Sequence, residues 1–446
     1  MRLAPDLDTL VPMLLERYDV AGCAIAVVEN GTVAWTRGYG LADAETHVPV
    51  TPGTVFQVAS ISKTVTAWGI IRLVEQGIVD LDGPVDRYLT RWHLPQSLYN
   101  HDAITIRRLL NHTAGISVGG VKSFAPDAPL PGLEEHFSDA GPDGEVCVVQ
   151  APGAGHRYSG GGHTILQLVV EEVTGRPFAA FMQDEVLQPL GMEHSGFEWA
   201  PSLQPATASA YDREGRRVPN LLFVAKAAAG LYATAPDLAT FAAAGLPGAD
   251  GAPAGRGVLR TESVDAMYRP LASIGGPRDA YYGLGYVVKF APNNVRIVGH
   301  TGDNEGWKAM FAAAPAKASA VVALTNSDYG SLVHGHIYRY WLRESIGVDD
   351  PARFFAATID SGRLHPSGIS DTDRWDSARF EWRGEHDVDA LSGPWAEHHK
   401  ITTWRELKAL LEASVPGTEA YSAWIHEDLL YGGVVLWEAL REGRVP

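Results

Sequence analysis

The chain has 446 residues, of which 46% are hydrophobic and 20% charged, proportions of an ordinary globular protein with length for one large domain or two. A formal charge of −17 argues against a nucleic-acid partner or an anionic membrane surface, since both demand clustered Lys and Arg. Its two cysteines, Cys23 and Cys147, form neither a disulfide framework nor a metal spacing, so no metal or other cofactor is expected.

Residues 6–19 place Leu7, Leu10, Val11, Leu14, Leu15 and Tyr18 at helical spacing. The opening Met1-Arg-Leu-Ala-Pro-Asp lacks a basic stretch leading into an apolar core, and no apolar run is long enough to span a bilayer; the expected location is the cytoplasm. Ala24–Val28 and Thr32–Tyr39 read as strands joined by a hairpin turn at Glu29-Asn30-Gly31, with Cys23 expected as a small buried thiol. Thr54-Val-Phe-Gln-Val-Ala-Ser60-Ile-Ser-Lys63 then sets a serine and a lysine three residues apart at a helix start. That spacing puts both side chains on one face, where the amine reaches the hydroxyl. Taken alone, a capping serine and a solvated lysine explain the pair as well.

Helical periodicity continues through Val65–Gln76, Ile106–Leu110, His163–Thr174 and Pro177–Val186, with a Gly- and Pro-rich stretch at 117–151 expected to form a loop that shapes specificity. Strand patterns return at Tyr282–Phe290, Val295–Gly299, Lys308–Ala313 and Ser319–Asn326, and a helix is expected from Ser331 to Ser345. Past Gly347 the pattern changes. The last hundred residues hold six of the twelve tryptophans, a capping-box sequence at Thr403-Trp-Arg-Glu406 and strand-like runs at Ser377–Trp382 and Gly433–Trp437. The expected architecture is mixed α/β (α+β): a mostly antiparallel sheet assembled from both ends of the chain, flanked by helices and a helical lobe, with the cleft between them. Residues 1–346 form the catalytic domain in this reading, and 347–446 a small α+β appendix.

Three further segments bear on Ser60 and Lys63: Leu110-Asn-His-Thr-Ala-Gly115, Pro152-Gly-Ala-Gly-His-Arg-Tyr158-Ser-Gly160 and Gly299-His300-Thr301-Gly302-Asp303-Asn-Glu-Gly-Trp307. Leu187-Gln-Pro-Leu-Gly-Met192, Ala229-Gly-Leu-Tyr-Ala-Thr-Ala-Pro-Asp-Leu238 and Tyr282-Gly-Leu-Gly-Tyr286 accompany them. In this order they resemble the serine β-lactamase and penicillin-binding-protein superfamily over residues 5–346. The branch is that of class C β-lactamases, D,D-carboxypeptidases, family VIII esterases and related acyltransferases.

The resemblance implies a β-lactamase/transpeptidase-like fold and acyl-enzyme chemistry. Ser60 is then the nucleophile, Lys63 the group that takes or shares its proton, and Tyr158 the base and acid that serves leaving group and acceptor. His300 stands where relatives carry the lysine of Lys-Thr-Gly, to steer a substrate carboxylate or tune Tyr158. The backbone N–H groups of Ser60 and Asp303 form the oxyanion hole, and Gly160, Thr301, Gly302 and Trp307 line the substrate site, with Gly302 letting substrate lie against the strand.

One departure redirects the function. Gly160 occupies the third place of the family's Tyr-x-Asn motif, where the asparagine contacts a substrate amide, so an opened wall is expected there. The resemblance therefore implies an esterase, amidase or transacylase acting on a specialised, secondary-metabolite-like acyl donor, with water or a nucleophilic acceptor as second partner. D,D-peptidase or β-lactamase activity is the alternative, followed by a non-catalytic β-lactam sensor. His334-Gly-His336 and His398-His399 lack partners at ligand spacing and read as surface histidines.

Overall fold

The computed structural model describes residues 3–141, 144–274, 280–291 and 293–348, together with four short strands between His365 and Ser392. They fall into two compact units. The first comprises the described residues of Met1–Ile274, Tyr281–Lys289 and Arg296–Gly330; the second, those of Gly275–Ala280, Phe290–Val295 and Ser331–Pro446.

Helix α1 (Leu3–Tyr18) leads into β1 (Gly22–Glu29) and β2 (Thr32–Asp43). Asn30 and Gly31 both take positive φ (52° and 68°) between those strands, the backbone of a tight hairpin turn, which explains the Asn-Gly pair. β3 (Val48–Pro49) adds a short edge. The remaining strands come from the far end of the chain: β4 (Ala272–Ser273), β5 (Tyr281–Tyr282), β6 (Val287–Phe290), β7 (Arg296–Asn304), β8 (Trp307–Ala314) and β9 (Ser319–Thr325). They form one nine-stranded sheet in the order β4-β5-β6-β7-β8-β9-β1-β2-β3. β9 and β1 close the two chain ends together, antiparallel from Cys23 opposite Thr325 to Val28 opposite Ala320.

β8 and β9 are buried at every residue and β1 at all but its last, which accounts for unbroken runs such as Ser319-Ala-Val-Val-Ala-Leu-Thr325. Helix α4 (Ala235–Ala244), rich in alanine, approaches β1, β2, β8 and β9, the small side chains permitting close contact. Helix α2 (Ile61–Glu75) is buried around nearly its whole circumference. It contacts α3 (Gly160–Thr174) and the short helix Lys226–Ala229 on the lobe side and β7 on the sheet side. Ser60, at the start of α2, therefore lies where lobe and sheet meet.

Two expected elements differ in detail. The run Tyr282–Phe290 is not one strand but the hairpin β5–β6, because Gly283 N–H bonds the carbonyl of Tyr286 (2.8 Å) and Gly285 turns at φ 80°. Pro177–Val186 is a one-turn helix, Phe178–Met182, continued by a wider turn at Gln183–Leu187. Stretch 117–151 is stapled at its base, where Ser117 N–H bonds Cys147 O (2.9 Å), and carries a two-residue strand, Ser123–Phe124, paired to Leu222–Phe223. Cys23 is fully buried and burial raises its thiol pKa, whereas Cys147 is half-buried.

Of the expected C-terminal elements, a hairpin of Arg374–Asp376 with Glu381–Arg383 overlaps the run at Ser377–Trp382. The helix at Thr403, the strand Gly433–Trp437 and His398-His399 lie outside the described residues. His334 is buried rather than on the surface. No helix among the described residues is long and apolar enough to cross a membrane.

Candidate active site

The turn before α2 is shaped around Ser60. Val58 N–H bonds Leu231 O (3.0 Å), and Ala59 then takes φ 47°, a left-handed conformation that costs a non-glycine residue roughly 1–2 kcal/mol. Ser60 sits at the cap position, yet its side chain makes no capping hydrogen bond. Ser62 is the structural serine: its hydroxyl donates to Ala59 O (2.5 Å) and accepts from Leu231 N–H (2.9 Å). The Ser60 hydroxyl is left to Lys63, whose Nζ lies 3.0 Å from Oγ. Lys63 is only 2% exposed and also donates to Ala228 O at 2.8 Å. A capping serine beside a solvated lysine does not describe this geometry.

Strand β7 passes directly against this turn. A Cβ on Gly302 would lie 2.1 Å from Val58 O and 3.1 Å from the Cβ of Ala59. The absent side chain thus makes room for the nucleophile turn itself, not for substrate as the sequence suggested. Beyond Gly302, Asn304 and Trp307 close a two-residue turn, with Asp303 opposite Lys308. Hydrogen-bonded and non-bonded pairs alternate along an antiparallel ladder, and the two-residue turn bonds the Asn304–Trp307 pair, so the N–H of Asp303 turns away from β8. The Asp303 carboxylate is 78% exposed and pairs with Lys308 (3.0 Å), which also binds Asp328 (2.6 Å) and Asn304 O (3.2 Å).

Tyr158 joins the pair from the loop preceding α3. Its ring lies beneath the Lys63 amine, with Nζ 4.9 Å from the ring centroid. The ring is boxed by His112 (4.4 Å between centroids), His300 (6.3 Å) and Tyr282 (6.4 Å). His112 accepts the Ser159 N–H at Nδ1 (3.1 Å), and burial, followed by nearby His163 and Lys63, pushes its pKa well below the ordinary value. His163 is depressed in the same way, by burial and then by Lys63 and His300. The imidazole against the Tyr158 ring, His112, is therefore neutral near pH 7, as is His163 packed on it at 5.0 Å.

His300 is placed differently from a carboxylate anchor. Nδ1 lies 2.5 Å from Thr301 O, which can only accept, so Nδ1 carries the proton. Nε2 lies 2.7 Å from the Tyr282 hydroxyl. Both nitrogens are engaged inside the protein, and the residue is 7% exposed.

Three other expected substrate contacts part company. Thr301 is exposed on β7. Gly160 does not open a wall: a Cβ there would sit 2.6 Å from Cγ1 of Val121, so the 117–151 stretch already fills the space. The loop is held by Gly160 N–H to Gly119 O (3.2 Å), Gly161 N–H to Val118 O (3.1 Å) and Ser159 Oγ to Ser117 O (2.5 Å). Trp307 is 1% exposed and packs edge-on to Phe56 at 6.0 Å; it is a core residue, not a substrate contact.

The structure also brings in residues to which sequence reading gave no role. His112 and Tyr282 stood in quoted motifs, but nothing in their spacing shows that they face Tyr158. Ala228 contributes only a carbonyl, which leaves no trace in side-chain chemistry. Gln57 links the nucleophile turn to β7 by accepting from Asn304 (2.7 Å) while donating to Asn220 (2.7 Å) and Leu221 O (2.9 Å).

Comparison with known proteins gives a consistent picture. The Beta-lactamase family matches residues 7–343. Esterase EstB of Burkholderia gladioli is 31% identical over 203 residues, which are 44% of this chain and 52% of that protein. The matches span between 41% and 66% of the length of such curated relatives. Among solved structures, the octameric penicillin-binding protein homologue from Pyrococcus abyssi superposes with a TM-score of 0.63 at 23% identity, covering 81% of this chain and 84% of that one. A β-lactamase/D-alanine carboxypeptidase from Pseudomonas syringae gives a TM-score of 0.62 at 21% identity, over 76% of this chain and 99% of that one. At these identities the two structures speak for the fold.

Proposed function

The chain belongs to the Beta-lactamase family, and from that premise we propose that it is a serine hydrolase or acyltransferase that forms an acyl-enzyme on Ser60. The observation that carries the reading is the buried Lys63 amine 3.0 Å from a Ser60 hydroxyl that no cap occupies.

In this mechanism Lys63 keeps an N–H on Ala228 O and shares or takes the proton of the Ser60 hydroxyl 3.0 Å away. Proton transfer to Lys63 frees Oγ to attack the carbonyl carbon of an ester or amide. Negative charge gathers on the carbonyl oxygen and is met by the N–H groups of Ser60, at the start of α2, and Asp303. Tyr158, against the Lys63 amine, relays a proton to the leaving alcohol or amine; in the second half-reaction it draws one from water or another acceptor. The neutral His112 beside it adds no competing charge to the relay.

An ester or specialised small-molecule amide is the preferred acyl donor. Position 160 carries no asparagine for a substrate amide, and Val121 occupies the space beside it. The likeness to an esterase supports the same choice. D,D-peptidase or β-lactamase activity is the second reading, kept because the fold is shared with a β-lactamase/D-alanine carboxypeptidase.

The test is covalent labelling with a fluorophosphonate and with a fluorescent penicillin, followed by turnover of p-nitrophenyl esters. Labelling and turnover that vanish in Ser60→Ala, with the variant still folded, are the expected result. Labelling that survives Ser60→Ala, or no labelling and no turnover at all, overturns the proposal.

A further inference from the structure

We propose that this site selects acyl donors without a free carboxylate, and that Tyr282 and Asp303 set that preference. The inference rests on the acyl-enzyme reading above and specifies its substrate class.

What β7 offers a ligand decides that preference. A carboxylate bound along this strand needs a cation or a donor that is not already committed. His300 offers no open donor: Nδ1–H is fixed on Thr301 O at 2.5 Å and Nε2 on the Tyr282 hydroxyl at 2.7 Å. Tyr282 is 1% exposed, and its ring is held edge-on to His112 (4.6 Å) and against His156 (5.6 Å). It cannot swing away to release the imidazole without disturbing that packing. Tyr282 is thus a positioning residue that spends His300's second nitrogen.

Lys308, opposite Asp303 near the end of β7, is equally committed. Its ammonium is 8% exposed, 2.6 Å from Asp328 and 3.0 Å from Asp303. Two carboxylates face one ammonium, leaving the group net negative. The Asp303 carboxylate, 78% exposed immediately after Thr301-Gly302, presents that charge to the solvent side. The Lys63 amine is held by Ser60 and Ala228 O. A substrate carboxylate at residues 301–303 therefore meets the Asp303 charge and an exposed, neutral Thr301 hydroxyl rather than an open cation, whereas a neutral ester or amide loses nothing.

The experiment compares two esters that differ only at the far end: mono-p-nitrophenyl adipate and p-nitrophenyl methyl adipate. The wild-type enzyme is expected to turn over the methyl ester with at least ten-fold higher kcat/KM in low salt, the ratio narrowing in 0.5 M salt as exposed charge is screened. Asp303→Asn should narrow it about three-fold or more, the effect of one charge at roughly 6 Å in water or a less polar cleft. Tyr282→Phe, which frees Nε2 of His300 to take a proton and present an N–H to the carboxylate, should narrow it as well. Because each variant is read as a ratio of two substrates, a general loss of activity does not imitate the result. A wild-type ratio near one, or a large ratio that neither variant moves, overturns this inference while leaving the acyl-enzyme intact. No turnover of either ester with Ser60 unlabelled overturns the acyl-enzyme reading itself.

Discussion

Gly160→Asn writes into the chain the residue that resembling enzymes carry in Tyr-x-Asn, and its consequence follows from local packing. Gly160 does not take positive φ, so asparagine meets no backbone strain and gains a few tenths of a kcal/mol in helix propensity at the first residue of α3. Against that, its Cβ would lie 2.6 Å from Cγ1 of Val121 and 3.3 Å from Gly119 O, where ordinary contact begins near 3.4 Å. Val121 must retreat by about 0.8 Å, and the loop it belongs to is tied to the same helix end through Gly119 O and Val118 O. Overpacking of this kind costs about 1–3 kcal/mol, and each loosened hydrogen bond about 1 kcal/mol. Val121 is half-buried and has somewhere to go, so a net loss of about 2 kcal/mol is expected.

Urea unfolding at constant slope measures it, in a double-mutant cycle with Val121→Ala. Removing the two methyl groups should recover at least 1 kcal/mol of the Gly160→Asn cost. If Gly160→Asn is within 0.5 kcal/mol of wild type, or costs the same with Val121→Ala present, the filled wall is refuted and the position is open after all.

Gly302→Ala puts a Cβ 2.1 Å from Val58 O and shifts the nucleophile turn, so burst kinetics should show acylation slowed at least about 100-fold without loss of the folded state. Trp307→Phe should lower the unfolding midpoint yet leave KM unchanged within about two-fold, because the ring packs on Phe56 and meets no substrate. His136 and His156 each have a pKa pushed down to about 4 by burial. The unfolded chain binds their protons first, near pH 6.5, so stability falls as pH drops from about 6.5 to 4 and levels off below. The loss should be on the order of 1–3 kcal/mol per residue, and His136→Gln should flatten that part of a denaturation-versus-pH curve. An unchanged slope in that variant would contradict the buried, neutral state.

Sequence alone determined the parts of this protein that are local or written in side chains. Unbroken runs of small and apolar residues marked α2 and strands β1, β8 and β9, because an element covered on both faces leaves that pattern wherever its partners come from. Ser60 and Lys63 were legible because helix geometry fixes the reach of residues three apart, and Tyr158 because it stood in a resembling context. Tertiary structure decided what depends on neighbours distant along the chain. Gly302 and Gly160 look alike in sequence as missing side chains beside a cleft; only packing shows that Val58 and Val121 fill them. Trp307 reads as a substrate contact in a motif, and the sheet buries it. His300 reads as an available donor until Tyr282, eighteen residues earlier, takes one nitrogen and its neighbour's carbonyl the other. A residue type states which hydrogen bonds are possible; the fold decides which of them are already made.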